Sequence, residues 1–304
     1  MKWQKRGLIY GPDGSSAWAK HSCLTPTPVL IGDIIRVYCG FRDGEGRSRI
    51  GFVDVRADDP SVVVAVSREP VLDIGMAGCF DDNGVIMGDV VADGDRLRMY
   101  YVGFQIVARV KFLAFTGLAF STDGGNSFQR AQAAPVLDRA DEGLFIRAVH
   151  TSMPDKTGGW RIWYAAGSGW EPIKGGFYPQ YHIRHQASVD GVRFDTTGDL
   201  CLPPAGREYR IGRPRVYLGE TGYRMIFTKG SVDGDYTPGY ATSRDGVHWN
   251  RDDSQLGIGL SDDGWDSRHL CYPSVIHYGS RIWMFYNGND MGVDGFGYAE
   301  LIAH

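Results

Sequence analysis

Short hydrophobic-aromatic stretches, each closed by a turn or a glycine, recur along this chain at a nearly constant interval. The five copies are Arg36-Val37-Tyr38-Cys39-Gly40, Arg98-Met99-Tyr100-Tyr101-Val102-Gly103, Arg161-Ile162-Trp163-Tyr164-Ala165, Arg224-Met225-Ile226-Phe227-Thr228 and Trp283-Met284-Phe285-Tyr286-Asn287-Gly288. Their last aromatics, Tyr38, Tyr101, Tyr164, Phe227 and Tyr286, lie 63, 63, 63 and 59 residues apart. A fixed period with room for about four short strands per unit is the pattern of β-propeller blades. The expected fold is all-β: a five-bladed β-propeller with four short antiparallel strands per blade, filling residues 1–304 as a single domain.

Two further phrases keep the same register. A small-residue strand follows each aromatic one, as in Gly117-Leu118-Ala119-Phe120-Ser121 and Gly239-Tyr240-Ala241-Thr242-Ser243. In the middle three blades it runs into Ser121-Thr122-Asp123-Gly124, Ser188-Val189-Asp190-Gly191 or Ser243-Arg244-Asp245-Gly246, turns whose Ser and Asp side chains can cap their own backbone. The blade-opening strands begin at Thr27-Pro28, Met87-Gly88-Asp89, Thr151-Ser152, Arg213-Pro214 and Tyr272-Pro273. In a propeller the innermost strand lines the central channel. Residues just before it, and in the loop after the aromatic strand, should therefore gather at one mouth.

Composition narrows the class. The 42 glycines and 12% aromatic content suit many tight turns between packed strands. A formal charge of −4 gives no basic footprint, so nucleic acid is not an expected partner. The N-terminal Met1-Lys2-Trp3-Gln4-Lys5-Arg6-Gly7 has no apolar secretory core, and no apolar run reaches membrane-spanning length. Cys23, Cys39, Cys79, Cys201 and Cys271 are odd in number and lack a C-x-x-C pair, which fits reduced thiols in a cytoplasm. Neither a metal nor a cofactor is expected.

Read in register, the pre-strand segments carry Asp82, Glu142, Glu208 and Asp266, spaced 60, 66 and 58 residues apart. Carboxylates from four blades aimed at one mouth could not all stay ionised, which would yield proton donors beside bases. The same segments hold Arg147, His150, Arg213, His269 and Tyr272, and the post-aromatic loops add Arg42, Asp43, Trp170, Glu171, Lys229, Asn287 and Asn289. Acids, guanidinium groups, amides and a tryptophan suit a sugar site.

These residues resemble the five-bladed propeller glycosidase group, which includes arabinanases and xylosidases, invertase-like enzymes and mannoside phosphorylases. The resemblance rests on Phe80-Asp81-Asp82-Asn83-Gly84-Val85, Ile211-Gly212-Arg213-Pro214, Gly264-Trp265-Asp266-Ser267 with Tyr272-Pro273, and Tyr286-Asn287-Gly288-Asn289 with Gly295-Phe296-Gly297. It implies a carbohydrate-active enzyme working on a glycosidic or nucleotide-sugar bond, with a saccharide or other small molecule as partner. Asp82 and Asp266 would be the main carboxylates and Glu171 or Glu208 the proton donor. One departure matters: Ala19-Lys20-His21-Ser22-Cys23-Leu24-Thr25-Pro26 carries no acid where the family takes its first-blade aspartate. Phosphorolysis, in which phosphate attacks and Arg, Lys and His hold it, and glycosyl transfer stay open beside hydrolysis. So do a binding-only propeller and a tailoring enzyme for a small metabolite. Residues 105–120 are unusually apolar for a loop region and are expected to act as a lid, a homodimer contact or a strand pair packed on its own blade.

Overall fold

The computed structural model describes residues 1–303 except 157, 174 and 235. Its strands pair antiparallel in consecutive runs of four. His21–Ile31 (β2), Ile34–Arg42 (β3), Ser48–Arg56 (β4) and Val63–Val66 (β5) form the first run. Val85–Asp93 (β6), Arg96–Gln105 (β7), Leu113–Ser121 (β8) and Gln129–Arg130 (β9) form the second. Next come Ile146–Pro154 (β10), Trp160–Ile173 (β11), Gly176–Ser188 (β12) and Asp199–Leu202 (β13). Glu208–Gly219 (β14), Gly222–Ser231 (β15), Tyr236–Ser243 (β16) and Asn250–Arg251 (β17) follow. The last run is Cys271–Tyr278 (β18), Arg281–Asn287 (β19) and Phe296–Ala303 (β20), and its outer strand is the N-terminal Lys2–Tyr10 (β1). Among the described residues no helix is long and apolar enough to cross a membrane.

Both faces of the aromatic strands are buried, which is why they read as nearly continuous apolar runs rather than alternating ones. On β3, Val37, Cys39 and Phe41 pack against Trp283, Phe285 and Phe296 of the last run, while Tyr38 turns the other way toward Met87, Met99 and Tyr101 of the second. Similar cores join the second run to the third, the third to the fourth and the fourth to the last. The opening strands β2, β6, β10, β14 and β18 neighbour one another in that order, and β18 returns to β2. Hydrogen bonding itself gathers the strands into one twelve-stranded and two four-stranded sheets.

Side chains also reach from one run to turns of the next. The Tyr38 hydroxyl donates to Gly125 O at 2.9 Å, Tyr100 to Gly191 O at 2.6 Å and Trp163 Nε1 to Gly246 O at 2.7 Å. Trp283 Nε1 donates to Ala57 O at 3.0 Å, tying the last run to the first. The acceptor turns are the expected self-capped ones. Asp123 accepts from the Asn126 and Ser127 amides, and the Ser127, Ser121 and backbone hydrogen bonds outweigh burial to lower its pKa to about 2.

Candidate functional site

Each opening strand slips register against its partner around one recurring position: Thr25-Pro26, Gly88, His150, Arg213-Pro214 and Tyr272-Pro273, with a second slip on β2 and on β14. The positions are 63, 62, 63 and 59 residues apart, so the bulge repeats with the blade period. A bulge re-aims a side chain and leaves its residue off the ladder. Thr25, Arg213 and Tyr272 adopt positive φ of 55°, 52° and 56° there, a backbone conformation costly for a side-chain-bearing residue. At the second bulge a Cβ on Gly88 would stand 2.4 Å from Val149 O and 2.5 Å from Tyr100 O, so only glycine fits. Four of these five bulges therefore aim a functional side chain, and Thr25, His150, Arg213 and Tyr272 all line one cavity of 380 Å³.

Arg213 forms the floor. Its Nη1 donates to Met87 O and faces His150 Nδ1 at 3.2 Å; its Nη2 donates to Thr25 O at 3.0 Å and Thr27 Oγ1 at 2.8 Å. One guanidinium thus ties together β2, β6 and β10 from its own place on β14. Burial, together with the nearby Arg215 cation, pushes its pKa down to about 9, so it stays charged at neutral pH. Its Nε is buried without a partner. His150 is held neutral: burial first, then Arg213 and Arg215, push it well below the usual value. Since Nδ1 faces an Arg N–H, the tautomer assigned is the one with its proton on Nε2.

Arg210 stands beside it on β14, and its situation differs. Its guanidinium lies 4.7 Å from the Tyr236 ring centre, 5.0 Å from Tyr209 and 5.6 Å from Tyr181. Among the described residues it makes no salt bridge, and its Nε is buried without a hydrogen bond. Phenols flank it: Tyr236 Oη lies 3.4 Å from both Tyr181 Oη and Tyr272 Oη. Burial pushes Tyr236 and Tyr272 above the ordinary tyrosine value, so both stay protonated hydroxyls. At the mouth, Arg42 and Lys111 join the lining, Lys111 Nζ 3.9 Å over the Tyr178 ring, with no carboxylate paired to either. Among the described residues no Asp or Glu lines the cavity.

That last fact corrects the expected convergence of acids. Asp266 is buried beneath the aromatic strand of its own run, accepting from Tyr286 Oη at 3.0 Å and pairing with Lys5 at 2.7 Å. Glu142 likewise takes Tyr164 Oη at 2.6 Å and binds Arg147 at 2.9 Å and Arg184 at 3.2 Å. In the second run the acid beside Tyr101 is Asp81, bound by Arg130 at 2.8 Å, while Asp82 caps a turn by accepting from Gly78 N. Glu208 pairs with Arg251, whose guanidinium lies over Phe227. The acid register is real, but its recurring job in three of these runs is to sit beneath the last aromatic of the phrase. Glu171 accepts from Gln180 across the β11–β12 hairpin and is not at the cavity either.

The other expected binding residues divide. Arg42, His150, Arg213 and Tyr272 line the cavity. Arg147 is used up by Glu142, Asp138 O and Asp195 O, Lys229 by Asp253, and Asp43 by Arg49. Asn287 bonds Thr25 N, Cys23 O and Gly295 O, bracing the first bulge from behind. Asn289 accepts from the Arg268 and His269 amides, and the His269 ring accepts from Asp290 N. Trp170 packs edge-on against Phe112 and Phe145, outside the lining. Within the apolar stretch 105–120, Ile106, Lys111, Phe112 and Ala114 line the cavity while Leu113–Ser121 is a paired strand, so the loop part overhangs the pocket. Sequence reasoning missed Arg210, Lys111, Tyr178, Tyr181 and Tyr236. The signal for Arg210 was its place one turn of pleat before the Arg213-Pro214 bulge, in a stretch otherwise apolar or aromatic.

No family model matches the chain. Among solved structures, a glycoside hydrolase superposes with TM-score 0.76 at 17% identity, covering 99% of this chain and 92% of that one. A thermostable family-43 glycoside hydrolase gives 0.68 at 15%, covering 95% and 93%. A structure from work on the GH130 mannoside phosphorylases, a family containing glycoside hydrolases that target β-1,2 mannosidic linkages in Candida mannan, gives 0.70 at 13%, covering 98% and 93%. At such identities the likeness carries the fold, the all-β fold of propeller glycosidases. In sequence, the chain is 33% identical over 303 residues, 99% of each chain, to "Uncharacterized protein Rv1502" of Mycobacterium tuberculosis (strain ATCC 25618 / H37Rv). It matches "Uncharacterized protein MT1551" of Mycobacterium tuberculosis (strain CDC 1551 / Oshkosh) to the same extent. On that full-length identity, the chain belongs to the family of these mycobacterial proteins.

Proposed function

We propose that the five runs are the blades of a propeller and that its central cavity takes an anionic, sugar-type ligand such as a sugar phosphate. One observation carries the reading: Arg210 and Arg213 line a cavity to which no described Asp or Glu contributes, and Arg210 makes no salt bridge among the described residues. Removing a cation from water costs several kcal/mol; no described acid lines the cavity, and Asp89, near Arg213, is already paired with Arg215. A phosphate would offset that cost, accepting charge-assisted hydrogen bonds from the guanidinium groups with tyrosine hydroxyls and Lys111 around it. The carbohydrate part of the reading is supported by the solved glycoside hydrolases and the mannoside phosphorylase relative that share the fold.

The chemistry that suits this site is transfer to or from phosphate, phosphorolysis or glycosyl transfer, rather than hydrolysis by a carboxylate pair. A held phosphate supplies its own nucleophilic oxygen and needs no protein base. Binding without turnover is the second reading, favoured by the same absence of lining acids. Calorimetry with inorganic phosphate and glucose 1-phosphate, followed by product analysis with glycoside acceptors, tests both. Binding with product supports the enzyme, and binding without product over long incubation supports the module. If neither anion binds, the proposal is wrong.

A further inference from the structure

The cavity has two unlike arcs. Along β12, β14, β16 and β18 it presents Tyr181, Arg210, Arg213, Tyr236 and Tyr272. Along β2, β6, β7 and β10, and the loop before β8, the wall is hydrocarbon: Leu24, Ile86, Val102, Phe104, Phe112 and Ile146. The same side also carries polar lining: Thr25 and His150, already bonded to Arg213, and Arg42, Ser48, Asn83 and Lys111. Above, at the mouth, Ile106 is left 59% exposed, and Phe177 on the neighbouring hairpin 57%.

A sugar ring or a nucleobase laid on Leu24, Ile86, Val102 and Ile146 would lose its water and gain no hydrogen bonds from these side chains, which is costly. A hydrocarbon group loses nothing polar and gains burial. Building on the anion reading above, we infer that the ligand is an amphiphilic phosphate: a phosphate head on Arg210 and Arg213, esterified to an alkyl or aryl group lying along Ile86, Val102 and Phe112. Four cationic groups without a lining acid favour the doubly charged phosphate over a carboxylate as the head. The exposed Ile106, which also lines the cavity, extends the apolar track outward, so a longer chain has a path out of the cavity.

The test is calorimetry on the full chain with four probes: inorganic phosphate, glucose 1-phosphate, uridine monophosphate and hexyl phosphate. Each methylene seated on the wall is worth about fourfold in affinity, so hexyl phosphate should bind at least about tenfold tighter than inorganic phosphate. In Phe112→Ser, and in Ile106→Asn on the exposed loop where folding is not at stake, the hexyl-to-inorganic affinity ratio should fall about threefold or more. Arg210→Gln should weaken both ligands and leave their ratio unchanged. If phosphate and glucose 1-phosphate bind but hexyl phosphate gains nothing, or uridine monophosphate gains more, the amphiphile inference is overturned while the anion reading stands. If no phosphate binds, both fall.

Discussion

Arg147 and Arg210 are both arginines packed among tyrosines near the opening of consecutive runs, yet the protein treats them in opposite ways. Arg147 sits in a closed circuit with Glu142, which also holds Tyr164, Arg184 and the Gly198 amide. Arg210 has only ring faces around it. The same contrast holds more widely: Arg36 is paired with Asp54, Arg49 with Asp43 and Arg251 with Glu208, while the cations of the cavity have no acid. These strand-bridging arginines meet a carboxylate, whereas Arg213 bridges strands through carbonyl and hydroxyl oxygens and Arg210 meets ring faces.

The contrast is sharpest under substitution. Glu142→Gln leaves two arginines without their shared anion, and breaking such a buried pair should cost about 3–5 kcal/mol, read as a drop in unfolding free energy in urea. Arg210→Gln should change that free energy much less, because it loses contacts with the Tyr181, Tyr209 and Tyr236 rings but breaks no ion pair. It should instead weaken phosphate binding about ten- to hundredfold, the worth of hydrogen bonds to a charged group. Equal losses of stability in the two variants would erase the distinction.

Acid should break the closed circuits before it touches the cavity. His182 accepts from Arg184 and His185 from Arg161, and burial, then those arginines, pushes both down to about 4. The unfolded chain takes up these protons near pH 6.5, so the stability the neutral rings contribute is complete above 6.5 and lost as pH falls through 4. Urea midpoints at pH 7 and pH 5 should show the loss, and His185→Gln should flatten it. The smallest effect is expected for Tyr286→Phe, about 1 kcal/mol for one hydrogen bond to Asp266, since Lys5 still pairs with that acid. The fourth run already carries Phe227 at the matching place.

The strand plan was legible because one phrase repeats and its period is a geometric statement about the backbone. The site was legible only in part. Arg213 and Tyr272 stood out because a bulky residue precedes proline where a strand opens, and both prove to be bulge residues facing the cavity. The acids misled for a physical reason. A carboxylate repeating with the blade is equally well explained by a tyrosine repeating with the blade, and Asp266 with Tyr286 and Glu142 with Tyr164 answer each other inside single runs. Asp81 and Asp82 are neighbours in the turn before β6, and the turn buries Asp81 against Arg130 while Asp82 caps the Gly78 amide. Arg210 escaped because unpairedness is a property of three-dimensional surroundings that no local spacing records.

The outer strand of the last run comes from the other end of the chain: Trp3 lies opposite Leu301, and Leu8 opposite Gly297. That seam is fastened by Lys5 to Asp266 and Arg6 to Glu300. During synthesis β1 leaves the ribosome first and must wait for β20 with an unpaired edge, so the final ring contact belongs to the slowest, most non-local class of pairing. Assembly of this protein therefore has a last step, and a chaperone or a premature stop that acts anywhere before residue 296 acts on a ring still open.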